Sequence, residues 1–430
     1  MRIAYLAPEF PGQTHTWIWR ERNHLQELGL DVRMVSTRRP TDRDRARHQW
    51  AADAADATTY LWPMPPLGVA LAAASLLTRR LPALLACIAL CMRMRRDNGP
   101  PLRESLKLVI PAHRFALWIQ RNNIRHVHSA TPSGSLITTL LARHISPGFT
   151  VDCTVNAKFN WWGGGLNVKF DEADAIFVVV GWMQQQASQD FSPAINSKLH
   201  LARHGVDTRD WPERPAPPPA PPFQIVSVGR LHFSKGYDDT IRAVAALRST
   251  GKDVRLAILG EGPEREKLEQ LIESLDLADA VTLTGSVPEH EVRARIQAAH
   301  LFVGASHVEA LGVVYIEAMA LGVPTIATEA DGPKEIIQDG TSGLLVPIND
   351  TRALTRAIQR IIDDPELAER LGKAGRQRII EHYDSRIGAK TVYDTITAVA
   401  QHRDNRTRTP NGAQPKSNSG RSARSPSTQR

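Results

Sequence analysis

Two acidic side chains stand eight positions apart in the run EALGVVYIEAMALG, residues 309–322, whose other members are small or apolar. An ionised carboxylate in such company is costly unless a cation or a hydrogen-bond donor meets it, so Glu309 and Glu317 need partners. Candidate cations lie upstream in VGRLHFSKG, 228–236, where a glycine turn carries Arg230 and Lys235. Two positive side chains and free backbone amides at a strand end suit a diphosphate, although a basic loop that binds nothing would read the same. LGEGP at 259–263 is a second glycine turn, and there a purely conformational role is the better reading. Were 309–317 helical throughout, the two acids would lie about two turns, ~12 Å, apart. That is too far to share one small ion but suits the two ends of an extended ligand; the plainer alternative for Glu317 is a structural ion pair or an amide cap. No D-x-D-like acidic cluster for a metal stands out in this half of the chain. Cys87, Cys91 and Cys153 form neither a C-x-x-C pair nor a His-flanked set.

The elements that position these residues follow from the apolar runs. IAYLA at 3–7, a helical stretch TWIWRERNHLQEL stopped by Gly29, and VRMVS at 32–36 make a βαβ opening, which implies a parallel sheet with ligand-facing loops at its carboxyl ends. VHSA near 126–130 and AIFVVV at 175–180 are further strands of that sheet. RPAPPPAPPF, 214–223, is too rich in proline for a helix or a central strand and reads as a linker. The rhythm then restarts with FQIVSVG, a helix over 237–249, VRLAILG, a helix from about 264, AVTLTG, a helix near 289–299, and LFVGAS. VVYIEAMALG reads as a buried helix between Gly312 and Gly322, with its amino end aimed into a cleft. Two lobes of one architecture are expected: 1–205, a linker 206–222, and 223–385. A helix 386–402 crosses back to the first lobe, and a basic disordered tail follows at 403–430.

Charge is unevenly spread. Residues 1–222 carry 26 basic and 18 acidic side chains, 223–402 carry 20 and 26, and 403–430 carry seven and one. Within the first lobe, 79–125 holds ten basic groups against two acidic, a region that seeks anions. The apolar stretch 67–96, broken by Arg79 and Arg80, reads either as two packed core helices or as an interfacial pair, apolar toward acyl chains and basic toward anionic headgroups. No run approaches the ~18 apolar residues of a bilayer span and no secretory leader is evident, so a cytoplasmic protein is expected, peripheral on the inner face of the membrane if the interfacial reading holds.

Taken in order, VGRLHFSKG, LGEGP, VTLTGSVP and SHVEALGVVYIEAMALGVPTIATEADGPKEIIQDGTSGLLVP resemble the donor-binding domain of glycosyltransferase family 4, enzymes of the GT-B fold, over roughly 223–365. The resemblance implies an α/β protein of two Rossmann-like domains facing a central cleft. It further implies transfer of a hexose from a UDP- or GDP-linked sugar to a glycan or lipid-diphosphate-linked acceptor, with retention, without a metal or cofactor and without nucleic acid. On that basis Arg230 and Lys235 would hold the diphosphate, and Glu317 the ribose hydroxyls. Glu309 would hold the transferred sugar, the amides of Leu311, Gly312 and Val313 the sugar or phosphate, and the Val287 backbone the base. The first lobe resembles exopolysaccharide enzymes of the colanic acid type more loosely: YLAPEFPGQTHTWIWRER would bring Gly12 near the donor phosphates, and VHSATPSG would put His128 on the acceptor side. In TVNAKFN, Asn156 and Phe159 stand where those relatives carry histidine and aspartate, so Asn156 takes the place beside the reacting centre and the acceptor. A non-catalytic partner subunit and a nucleotide-sugar epimerase are the alternatives that the same fold allows.

Overall fold

The computed structural model describes residues 1–12, 15–41, 48–216 and 219–408. Seven strands, β1 (Arg2–Glu9), β2 (Asp31–Arg38), β3 (Thr58–Trp62), β4 (His126–Ser129), β5 (Thr150–Val155), β6 (Ala175–Val178) and β7 (Leu199–Leu201), form one sheet in the order β3-β2-β1-β4-β5-β6-β7. Six more, β8 (Phe223–Val228), β9 (Val254–Leu259), β10 (Val281–Gly285), β11 (Leu301–Gly304), β12 (Thr325–Thr328) and β13 (Leu344–Val346), form a second in the order β10-β9-β8-β11-β12-β13. Every pairing is parallel; Ile3, for example, lies between Val32 and His126. Parallel strands are covered on both faces, which is why β4, β5, β6 and β12 are buried along their whole length.

Each sheet reverses its winding beside its first strand, between β1 and β4 and between β8 and β11. At such a switch point the loops leave the carboxyl ends in opposite directions and open a crevice. The two crevice loops of the second sheet are 229–236 and 305–312, which carry Arg230, Lys235 and Glu309.

The chain crosses between sheets twice, and the crossings touch. Val206 N–H donates to Tyr383 O (3.2 Å) and Ser385 N–H to Val206 O (2.9 Å). A Cβ on Gly205 would fall 1.7 Å from Tyr383 O, so only glycine fits there. The last helix, Ser385–Arg408, returns to the first lobe and sets Val392 and Ile396 among Ile3, Tyr5, Ile18 and Leu25. It passes the expected end at 402, because nothing in 403–408 breaks a helix and Arg403 donates to the carbonyl of Phe149. The rest of the tail expected to be disordered, from 409, lies outside the described residues.

The apolar stretch near 67–96 folds as two helices, Pro66–Thr78 and Leu81–Arg96, bent by 99° at the arginine pair. Leu76, Cys87, Leu90, Cys91 and Met94 face the core, while Leu67, Leu71, Leu77 and Leu85 are between 58 and 71 % exposed. Among the described residues no single helix is long and apolar enough to cross a membrane.

Candidate functional site

At the second switch point Lys235 and Glu309 form an ion pair, their side chains 23 % and 15 % exposed. The short helical turn Phe233–Lys235 ends on Gly236 in the left-handed region, and a Cβ there would strike Ala305 O at 2.1 Å. That glycine lets the loop after β8 lie directly against the loop after β11, which brings the cation to the acid. Arg230 is exposed and has no ion-pair partner among the described residues. Gly260 and Gly262 serve loop packing: side chains there would collide with Gly229 O and Leu231 O at 1.9 and 2.2 Å.

Glu309 is not helical. The helix of the opening run starts at Val313 and ends at Ala320, capped by Gly312 at φ 84°, where a Cβ would meet the Tyr315 ring at 2.4 Å. The two-turn spacing expected between Glu309 and Glu317 therefore does not apply: a loop carries the first acid and a helix the second. The helix begins at the crevice, so the amides of Val313 and Val314 are free of intrahelical partners and point there with Leu311 and Gly312 beside them. Glu317 is partly buried, and desolvation raises its carboxyl to about 7, with Arg20 of the first lobe opposing and Glu289 adding to the rise.

Arg20 lies on the helix Thr16–Glu27, donates to Gly205 O at 2.7 Å and stands 3.8 Å from Glu289, so it brings positive charge from one lobe to the acids of the other. A second bridge lies closer to Glu309. Glu335 accepts from the amides of Gly181 and Trp182 (2.7 and 3.0 Å) at the start of the helix Gly181–Asp190, and Trp182 Nε1 donates to Ala310 O at 3.1 Å. Lys158 pairs with Asp331 at 2.8 Å. None of these bridges was legible from spacing, because each joins residues more than a hundred positions apart.

Asn156 follows β5 at its carboxyl end, two residues before that Lys158 bridge; its Oδ1 is buried and has no partner among the described residues. Gly12 closes the first strand's loop, its N–H donating to His15 Nδ1 at 3.0 Å, with room for no side chain, since a Cβ would lie 2.7 Å from that ring. Val287 packs partly buried between β10 and the helix Glu289–Ala298.

His128 departs from expectation. It is wholly buried in the first sheet, between Asp152 (Nδ1–Oδ1, 2.5 Å) and Glu21 (Nε2–Oε1, 3.1 Å), and cannot touch an acceptor. Burial opposes its charge, but Asp152 and Glu21 outweigh that and raise it to about 10.

Tyr237 was missed. It is buried, its hydroxyl lacks a partner among the described residues, and that hydroxyl would lie 2.9 Å from a Cβ on Gly229. Only an aromatic residue just after Lys-Gly hinted at it. Among the described residues one group, Asp238, Asp239 and His307, brings metal-type ligand atoms within 4.8 Å. Asp239 there already pairs with His307 at 3.1 Å and accepts from Thr351 at 2.5 Å, contacts that tie the helix Tyr237–Ser249 to its neighbours.

Two parallel, doubly wound lobes with switch-point loops facing each other define the GT-B class. Solved structures agree: a glycosyltransferase from Rickettsia africae superposes with a TM-score of 0.69 (14 % identity, 93 % of this chain, 98 % of that one), and Anabaena HepE in complex with UDP with 0.68 (15 %, 93 % and 100 %). The chain belongs to the group 1 glycosyl transferases, whose family model matches residues 210–378. The alpha-maltose-1-phosphate synthase of Mycolicibacterium smegmatis is 30 % identical over 268 residues, covering 55 % of this chain and 68 % of that protein. WcaL of Escherichia coli K12, named for colanic acid biosynthesis, is 36 % identical over 210 residues, 47 % of this chain. The chain spans only about half the length of WcaL, 52 %, and of the two Mycobacterium tuberculosis glycogen synthases it matches, 51 %.

Proposed function

We propose that the protein transfers a hexose from a UDP- or GDP-linked sugar to a glycan or lipid-linked acceptor in polysaccharide synthesis, with retention at the anomeric carbon. The observation that carries this is the Lys235–Glu309 pair at the switch point of the donor-type lobe, bridged to the other lobe through Ala310 and Trp182. The chemistry is departure of a nucleoside diphosphate. An arriving donor exchanges the ion pair for phosphate at Lys235 and sugar hydroxyls at Glu309; Arg230 and the amides at Val313 and Val314 add positive charge where the leaving group becomes negative. Glu317, in its ionised form, accepts from ribose hydroxyls. Asn156 both donates and accepts hydrogen bonds, which suits the hydroxyls of sugar and acceptor at the reacting centre. UDP in the HepE complex and the biosynthetic names of the relatives support this reading.

The test is release of UDP or GDP from a panel of nucleotide sugars with and without added glycans. Release that requires an acceptor and disappears in Glu309→Ala is expected; binding without release would instead make the chain a non-catalytic partner, and donor turnover without any acceptor an epimerase.

A peripheral position on an anionic membrane is part of the proposal. It is supported by the exposed leucines of the bent pair and by Arg79 and Arg80 at its corner. Each basic group at such a surface contributes about 1 kcal/mol, and salt screens it. The protein should float with phosphatidylglycerol-containing vesicles at low salt, less at high salt, and not with phosphatidylcholine alone, and Leu67→Ser/Leu71→Ser should abolish flotation. Absence of flotation at low salt removes this part of the reading.

A further inference from the structure

A cavity of about 420 Å³ opens in the first lobe beside the carboxyl ends of β4 and β5, lined among others by Ser105, Leu108, Ser133, Ile137, Trp161 and Lys169. Its size lies within the ~300–1,000 Å³ range of small-molecule sites. Three features make it a built site.

The first is the chain path. Gly163, Gly164 and Gly165 all take left-handed φ values (72°, 73°, 66°), and a Cβ on Gly164 would strike Asn98 O at 1.9 Å. This turn folds the short helix Phe159–Trp162 back over the strand end, where Trp162 Nε1 donates to Ala157 O at 3.1 Å. Trp162 is thereby fixed, while Trp161 is left 78 % exposed at the cavity.

The second is Lys169. The residue is 1 % exposed, yet among the described residues its ammonium donates only to two backbone carbonyls, Pro132 O (3.0 Å) and Trp162 O (3.2 Å). No carboxylate pairs with it among the described residues, although buried charges are ordinarily paired. An ammonium has three donors, so one is left for an oxygen in the cavity that it lines.

The third is position. The same turn that carries Trp161 contains Lys158, which reaches Asp331 of the donor-type lobe at 2.8 Å, and Gly332 next to it donates to Glu309 O at 2.9 Å. Trp161 lies three positions after Lys158, at most ~11 Å of chain. The cavity therefore lies in the first lobe, a few residues of chain from the contact that joins the two lobes beside Glu309.

We infer that this cavity is an acceptor subsite that takes a saccharide unit, its pyranose C–H face against the Trp161 indole and one of its oxygens at Lys169 Nζ. The inference rests on the glycosyltransferase reading for the word acceptor. The π face of an indole is negative and attracts the polarised C–H groups of a sugar ring while offering a large apolar contact. The ammonium takes either a hydroxyl or a carboxylate, so the shared chemistry is a pyranose with an acceptor oxygen.

Saturation-transfer NMR on the full chain with UDP present tests this, with cellobiose as the neutral probe and a glucuronate-bearing disaccharide as the acidic one. Transfer to the ring protons of at least one probe is expected, with loss in Trp161→Ala, a surface change that leaves folding intact. Lys169→Met should weaken the acidic probe more than the neutral one if a carboxylate is the natural partner, and both alike if a hydroxyl is. UDP affinity should be unchanged in Trp161→Ala, which separates this site from the donor site; failure of UDP to bind in the unmodified protein would count against the donor reading while leaving the saccharide signals to judge the cavity. Transfer that persists in Trp161→Ala, no transfer to either probe, or a Trp161→Ala variant that loses vesicle flotation but keeps saccharide binding would each overturn the proposal, the last by making Trp161 a membrane anchor.

Discussion

Lys235→Ala is expected to lower kcat/KM for the nucleotide sugar by about 10²–10³-fold, the scale seen when one preorganised donor is taken from a developing oxyanion. Two effects add. The cation facing the diphosphate is gone, and Glu309, which it pairs with, is left as an uncompensated carboxylate in a partly enclosed loop. That carboxylate then repels the phosphates it sits beside. The loss should appear in kcat as well as KM, because charge on the leaving group grows toward the transition state. Lys235→Arg should recover only part of it: the guanidinium is planar and longer, and Gly236 holds the loop too close to Ala305 for the backbone to retreat. Steady-state kinetics of nucleotide release with a fixed acceptor measures all of this. A Lys235→Ala enzyme within threefold of the parent would remove the ion pair from the chemistry.

The neighbourhood of that pair was only partly legible in the sequence. Arg230, Lys235 and Glu309 could be placed at strand ends because alternating apolar runs and glycine turns fix where strands stop, and the strand order of a doubly wound sheet then brings two such ends together. What spacing could not give is what each residue touches. The sequence places Glu309 in the loop HVEALG just ahead of the helix VVYIEAMALG, and Gly312 with its left-handed φ does start that helix at Val313, so it is the helical spacing between the two acids that fails. Arg20, Trp182 and Glu335 come from ordinary surface-like helical sequence and acquire meaning only when the lobes meet. Lys169 looked like one more basic residue until the fold buried it without a carboxylate.

His128 shows the same limit from the other side, and it carries the second large prediction. A histidine at the end of a strand in VHSATPSG reads equally well as a site residue or as part of a buried network. The structure makes it the centre of one: Tyr5 donates to Glu21 (2.9 Å), Glu21 and Asp152 flank His128, and Asp152 also faces His126 Nε2 at 2.8 Å. Burial pushes the Asp152 carboxyl up, but His128 and His126 more than reverse this and hold it at about 2. Asp152→Asn leaves an imidazolium with one anion instead of two in a fully buried site. Unfolding in guanidinium should show a loss of about 3–5 kcal/mol, the cost of breaking a buried pair from one side. The pH dependence follows from the directions. His128 is raised from the ordinary 6.5 to about 10, so its contribution is complete below pH 6.5 and fades as pH rises through 10. Asp152 is lowered from 3.8 to about 2, so its contribution is complete above 3.8 and fades as pH falls through 2. The parent protein should therefore be most stable, as far as this network decides, between about pH 4 and 6.5, and Asp152→Asn should flatten the decline on the alkaline side, since without that carboxylate His128 holds its proton less tightly. A loss below about 1 kcal/mol, or an alkaline slope unchanged by the substitution, would mean that His128 is neutral within the network in the folded protein.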